Sequence, residues 1–224
     1  MADAASNLAL RVASASVMAP LALLTAYLGG WAFAVFWAAA AIAVLCEWVM
    51  LVTGPVWIIA GIGYAGVLLA APLVLRSGEF GFLALLILFV VVWTTDVLGY
   101  FAGRAFGGPK LMPAVSPKKT WSGAVVGTLG AMIVAVLLAE SFGSFSVGAI
   151  ALVALLLSVV AQLGDLFESW IKRQFGAKDA SQLIPGHGGV MDRLDGFWAA
   201  AFVGCLIGLL RGGFSGAGAG LLVW

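Results

Sequence analysis

The sequence predicts an all-α, polytopic integral membrane protein of about seven transmembrane helices, and three observations carry that prediction. Of its 224 residues, 63% are hydrophobic and 9% charged, against about 45–50% and about 25% in ordinary globular domains. The mean hydropathy is +1.15. Much of the chain also divides into apolar blocks close to the roughly 20 residues that a helical span requires. With 11 basic and 10 acidic side chains, a soluble fold of this length could not cover its surface. The bilayer is the expected solvent.

The spans follow in order. The first, 11–28, begins at Arg11; the apolar run continues into further spans, so a transmembrane helix is expected there rather than a cleaved signal peptide. Gly30 precedes a second span at 31–52 and Pro55 a third at 56–75. The polar segment Arg76–Glu79 separates these from a span at 80–103. Two more are read at 121–140 and 146–170, divided by Glu140–Ser144, and the last at 194–211. The Gly-rich tail 212–224 is too short for a full span. One transmembrane domain, 1–224, is expected: N-terminal spans over 1–78, then spans over 80–211 that carry two polar loops, 104–120 and 171–193. Cys46 and Cys205 lie in apolar stretches and read as small buried hydrophobes rather than a disulfide or metal ligands.

Basic residues orient such a chain. With a cytoplasmic N-terminus, Arg11, Arg104, Lys110, Lys118, Lys119, Lys172, Arg173, Lys178 and Arg193 fall inside, and Arg76 and Arg211 outside. The two basic loops are separated by two spans and therefore share a face, where they could form one site.

The segment SWIKRQFGAKDASQLIPGHGGVMDRLD (169–195) concentrates charge, including the single histidine of the chain. Just upstream, Asp165, Glu168, Ser169 and Lys172 fall at i, i+3, i+4 and i+7, one stripe of a helix. An ionisable residue in a span is costly and faces a partner or a wet cavity; one acid alone could be a snorkelling or helix-pairing residue. Asp192 and Asp195 are three apart at the start of the last span. They could cap the helix and meet its dipole, or act with Asp165 as oxygen ligands for Mg²⁺, which takes one or two carboxylates plus waters and phosphates. Between them, Gly186, Gly188 and Gly189 flank His187. Such a loop lets backbone approach an anion, although a glycine-rich loop and a lone histidine also occur with no such role. Beside Lys172, Arg173, Lys178 and Arg193, phosphate binding is the economical reading. No Walker or dinucleotide-binding glycine motif is present.

The other loop contains Arg104 and Lys110, then SPKKTWSG from Ser116 to Gly123. Lys118 and Lys119 could do no more than satisfy the orientation rule. With the hydroxyls of Ser116, Thr120 and Ser122 beside them, they also suit a polyphosphate. Asp96, on a face with Tyr100 and Gly103, is either a helix-pairing acid or a further polar member of the site. The residues thus describe a metal-assisted polyphosphate site at a membrane surface, with an amphiphilic phosphate as substrate.

Ser169-x-x-Lys172-Arg173, Lys178-Asp179 and His187-Gly188-Gly189-x-x-Asp192-Arg193-x-Asp195 closely resemble the signature of the phosphatidate cytidylyltransferase (CDP-diacylglycerol synthase) family. Gly164-Asp165-Leu166, Asp96–Gly107 and Ser116–Gly123 are similar to it as well. The resemblance covers about the C-terminal 130 residues; the chain looks like a short member with less N-terminal membrane sequence than longer ones. It implies transfer of a cytidylyl group from CTP to phosphatidic acid, giving CDP-diacylglycerol and pyrophosphate, with Mg²⁺, alone or with a second cation. It further implies Asp165 and Asp192 as leading metal ligands with Asp195 and Glu168 in support. Lys172, Arg173, Lys178 and Arg193 would hold phosphates, with Arg104, Ser116, Lys118 and Lys119 from the other loop. Ser169 would orient a carboxylate or phosphate, Gly188 and Gly189 would admit the substrate backbone-close, and His187 would contact a phosphate. The expected setting is a bacterial cytoplasmic (inner) membrane, with the site and N-terminus facing the cytoplasm. No nucleic-acid partner is expected, and a homodimer is admitted but not encoded. A CTP-dependent polyprenol or phytol kinase is the rival enzyme. A transporter is the rival of another class, disfavoured because charge gathers at one surface and no acid was seen in the middle of the other spans.

Overall fold

The computed structural model describes residues 16–181, 183 and 188–224. Six helices are long and apolar enough to cross a membrane: α2 (Gly30–Leu51), α3 (Pro55–Leu75), α4 (Gly81–Phe106), α5 (Trp121–Phe142), α6 (Val147–Gln174) and α7 (Met191–Gly212). A shorter apolar helix, α1 (Ser16–Leu28), precedes them, and residues 11–15 of the expected first span lie outside the described residues. A six-residue helix, α8 (Ala217–Leu222), ends the chain. The polytopic all-α architecture holds. One addition is a two-stranded antiparallel hairpin in the loop expected at 104–120, β1 (Lys110–Met112) with β2 (Ser116–Thr120). The last span also starts three residues earlier than hydropathy suggests, because Asp192 and Arg193 depress the average over a turn that is already helical.

Along the spans the surface is apolar: Trp31, Met50, Val56, Ile59, Leu137 and Leu210 are all exposed, as expected where lipid replaces water. The chain forms two compact units that do not follow chain order. One contains the described residues as far as Leu73 together with Ile171–Leu194; the other contains Val74–Trp170 and Asp195–Trp224.

In the first unit, α2 buries Phe33, Trp37, Ala41, Val44 and Trp48 along one stripe. Trp48 donates its indole N–H to the Trp57 carbonyl at 2.8 Å and packs on Tyr64 with ring centroids 5.1 Å apart. A Cβ at Gly61 would collide with that indole, so the glycine lets α3 lie against it. Cys46 is exposed on this helix, whereas Cys205 of the other unit is buried. The expectation of two buried cysteines is therefore corrected: Cys46 falls opposite the Phe33–Trp48 stripe.

In the second unit α4 is central, with Leu83 through Leu88, apart from Leu86, buried almost all round. Its partner α5 meets it through glycines. A Cβ at Gly123 would lie 2.5 Å from the Gly99 carbonyl oxygen, and one at Gly127 would lie 2.6 Å from that of Thr95. Small residues four apart on both helices let the backbones touch. Below this crossing, a hydroxyl network joins three helices. Ser158 of α6 meets Thr95 of α4 at 2.8 Å and Thr128 of α5 at 2.9 Å, and Gln162 donates to Thr128 at 2.9 Å. Arg211, near the end of α7, donates to the Gly220 and Val223 carbonyls at 2.6 and 3.0 Å, closing the C-terminal end of α8.

Candidate functional site

Two polar clusters contain the residues that the sequence singles out. The first is built on the C-terminal third of α6. There Asp165 pairs with Lys119, delivered by β2, and Ser169 donates to Asp165 at 3.4 Å. The hairpin holds Lys119 in place for a local reason. Thr120 caps α5 by accepting from the Gly123 N–H at 3.2 Å. The Ser122 hydroxyl bonds the Gly107 carbonyl, and the Trp121 N–H donates to the Pro109 carbonyl at 3.0 Å. The hydroxyls of Thr120 and Ser122, expected to suit a polyphosphate, are thus engaged in folding the loop. A Cβ at Gly103 would press on Thr120 at 2.7 Å, so the α4 glycines serve the same end.

Glu168 is fully buried and Asp165 half-buried. The Asp195 carboxyl lies within Coulombic range of Asp165, Glu168 and Asp96. Asp96 is exposed. Arg104 is exposed and donates to the Tyr100 hydroxyl at 3.2 Å. Lys118 is exposed and Ser116 half-buried. Lys119, paired with Asp165, is the lysine that this acidic cluster engages through an ion pair. Among the described residues no three or more Asp, Glu, His or Cys side chains converge tightly enough to cage a metal.

The second cluster lies where α6 ends and α7 begins. Helix α6 terminates in a Schellman turn: the Ala177 N–H reaches back to the Lys172 carbonyl at 2.8 Å and that of Gly176 to Arg173 at 3.2 Å, with Gly176 at φ 71°. Lys172 is buried and bonds Asp192 at 2.5 Å. The other Asp192 oxygen accepts the Gly189 N–H at 2.8 Å and the Ala180 N–H at 3.0 Å. Asp192 thus stands in the first turn of α7 and ties Lys172 to two amides of the connection that precedes the helix. Arg173 donates to the Ala177 carbonyl at 3.1 Å; Lys178 and Arg193 are exposed and suited to reach an anion. His187 and Gly186 lie outside the described residues.

Gly188 has φ 83°, and a Cβ there would stand 2.8 Å from an Asp192 oxygen. At Gly189 it would stand 2.7 Å from the carboxylate of Glu47. These glycines let the backbone lie against two carboxylates, a use the sequence did not suggest. Glu47 itself, near the C-terminal end of α2 and 1% exposed, was not among the residues that the sequence singles out. It accepts from the Ser181 hydroxyl at 2.6 Å, the Val190 N–H at 2.9 Å and the Met191 N–H at 2.7 Å. A single acid in an otherwise apolar span was the signal that could have found it.

Fold and site define a polytopic α-helical membrane protein whose acids gather toward helix ends, Asp165 and Asp192 paired with lysines and Glu47 with a hydroxyl and two backbone amides. Residues 53–210 match the Cytidylyltransferase family, and the chain belongs to that family. A phosphatidate cytidylyltransferase of Brucella abortus biovar 1 (strain 9-941) is 48% identical over 174 residues, covering 77% of this chain and 63% of the relative. One of Rickettsia bellii (strain RML369-C) is 34% identical over 198 residues, covering 85% and 86%. One of Haemophilus influenzae is 45% identical over 125 residues, covering 54% and 43%. The chain thus spans less than two thirds of the length of its Brucella relative.

Proposed function

We propose that this protein is a CTP:phosphatidate cytidylyltransferase. The observation that carries the reading is that both lysine-bearing motifs named by the family signature end on a carboxylate of α6 or α7: Lys119 on Asp165 and Lys172 on Asp192. The names of the relatives agree with it.

In the proposed reaction a phosphate oxygen of phosphatidate attacks the α-phosphorus of CTP. A new P–O–P linkage forms, the bond from the α-phosphorus to the α–β bridging oxygen breaks, and pyrophosphate leaves with the electron pair. A phosphate monoester is largely ionised at neutral pH, its second pKa being about 6, so the nucleophile requires no general base. The work left to the chain is positioning and charge neutralisation. Lys178, Arg173 and Arg193 hold phosphates from the α6–α7 connection, and Arg104, Ser116 and Lys118 from the hairpin side. Lys119 and Lys172 orient Asp165 and Asp192 before substrate arrives, and Ser169 supports Asp165. Asp165 leads the proposed Mg²⁺ ligands with Asp195 and Glu168 beside it, and Asp192 stays in the set on its motif spacing; bound there, Mg²⁺ would act as Lewis acid and template. The basic helix ends are proposed to face the cytoplasm of a bacterial inner membrane. Whether the protein works as a homodimer is decided by light scattering of the solubilised chain.

The test uses purified protein, phosphatidate, Mg²⁺ and CTP labelled separately in cytosine and in the γ-phosphate. Cytosine label entering the lipid is expected. Transfer of the γ-phosphate alone would replace the proposal with the lipid-kinase reading. Asp165→Asn should raise the Mg²⁺ requirement, and near-normal activity at low Mg²⁺ would remove Asp165 from the metal set.

A further inference from the structure

Glu47 stands in an apolar helix, buried, far in sequence from every motif of the family signature. Burying a carboxylate costs several kcal/mol unless its oxygens are satisfied. Here its bonds go to a single destination: the Ser181 hydroxyl and the Val190 and Met191 amides, all in the connection between α6 and α7. One of these donors, Met191, is the first amide of α7 and another, Val190, immediately precedes it, at the helix end whose amides have no intrahelical partner and carry the positive dipole. An apolar side chain in the same place would cost less, so holding α2 against its neighbours does not account for a carboxylate.

The same connection is gripped by Asp192. Its Oδ2 accepts from Ala180 and Gly189 and its Oδ1 meets Lys172. One carboxylate from α2 and one from α7 therefore pin both described ends of the stretch, Ala180–Ser181 and Gly189–Met191. Gly189 lies between them, its amide on Asp192 and its Cα against Glu47, where any Cβ would enter the carboxylate. A side chain at this motif position would have to displace the Glu47 carboxylate.

We propose that Glu47 is a positioning residue of this site: it fixes the entry of α7, and through it the placement of Asp192 and Arg193, without touching substrate. The proposal rests on the cytidylyltransferase reading for its kinetic consequence but not for the latch itself.

The experiment compares the wild type with Glu47→Gln, which keeps the shape and one acceptor oxygen, Gly189→Ala, and the double variant. Amide exchange over Val190 and Met191 should accelerate in Glu47→Gln. Among folded molecules kcat should fall by roughly ten- to hundredfold, the range for partners that orient reacting groups, with KM for CTP little changed. The two substitutions act on one contact, so the double variant should lose little more than either alone. A lower Tm with unchanged kcat and unchanged exchange would show a merely structural carboxylate and overturn the proposal. Wild-type protein that forms no CDP-lipid would instead overturn the reaction, and the exchange comparison would still decide the latch.

Discussion

Lys172 and Lys119 illustrate how differently two lysines of a basic loop can be used. Lys172 is 8% exposed and its ammonium meets Asp192 at 2.5 Å, while Lys119 meets Asp165 in a more open setting. Removing one partner of a buried pair strands the other charge, at about 3–5 kcal/mol. Lys172→Met should therefore unfold markedly earlier than wild type in a thermal or denaturant titration in detergent, beyond its effect on activity. Lys118→Ala, at an exposed position, should stay within about 0.5 kcal/mol. Equal stability of the two variants would show that the Lys172–Asp192 bond contributes nothing to the fold.

At the level of elements, the hairpin that delivers Lys119 depends on how closely α4 and α5 pack. Gly99 and Gly103 on one helix and Gly123 and Gly127 on the other allow backbone contact, and the Thr120 cap and Ser122 bond then turn the chain into β2. Gly127→Val would drive a branched side chain against the Thr95 carbonyl, where even a Cβ lies at 2.6 Å. A cost of about 1–3 kcal/mol follows from overpacking, and activity should fall as Lys119 moves off Asp165. The check is a crosslink between cysteines placed at 119 and 165 in a cysteine-free background: efficient in the parent, weak with Gly127→Val. An undiminished crosslink would detach the hairpin from the helix crossing.

For the whole molecule, the bias of basic residues predicts its orientation. In whole cells a cysteine at Ser77 or Gly213 should react with an impermeant maleimide, and one at Lys118 or Lys178 only after permeabilisation, with Cys46 and Cys205 replaced. The reverse pattern would invert the topology. The spans themselves were legible to within a few residues: 121–140 became Trp121–Phe142 and 56–75 became Pro55–Leu75, because a bilayer imposes length and apolarity on every span independently. The α6 stripe was legible too, since Asp165 and Ser169 are neighbours by helical period alone. The hydroxyl network of Thr95, Thr128 and Ser158 was not, because each of its members is an unremarkable small polar residue until three helices meet.

The sequence by itself determined the solvent, the approximate bounds of the six long spans, the family signature and the segments in which its charges gather, since these depend on composition and on spacing along one chain. Only the tertiary structure decided what each polar group does. It set Lys119 on Asp165 and Lys172 on Asp192, turned Thr120 and Ser122 into parts of a turn, and assigned Gly189 to Glu47. Such pairings join residues as far apart as 47 and 191, and they arise because a buried charge must find its partners wherever the packed helices bring them.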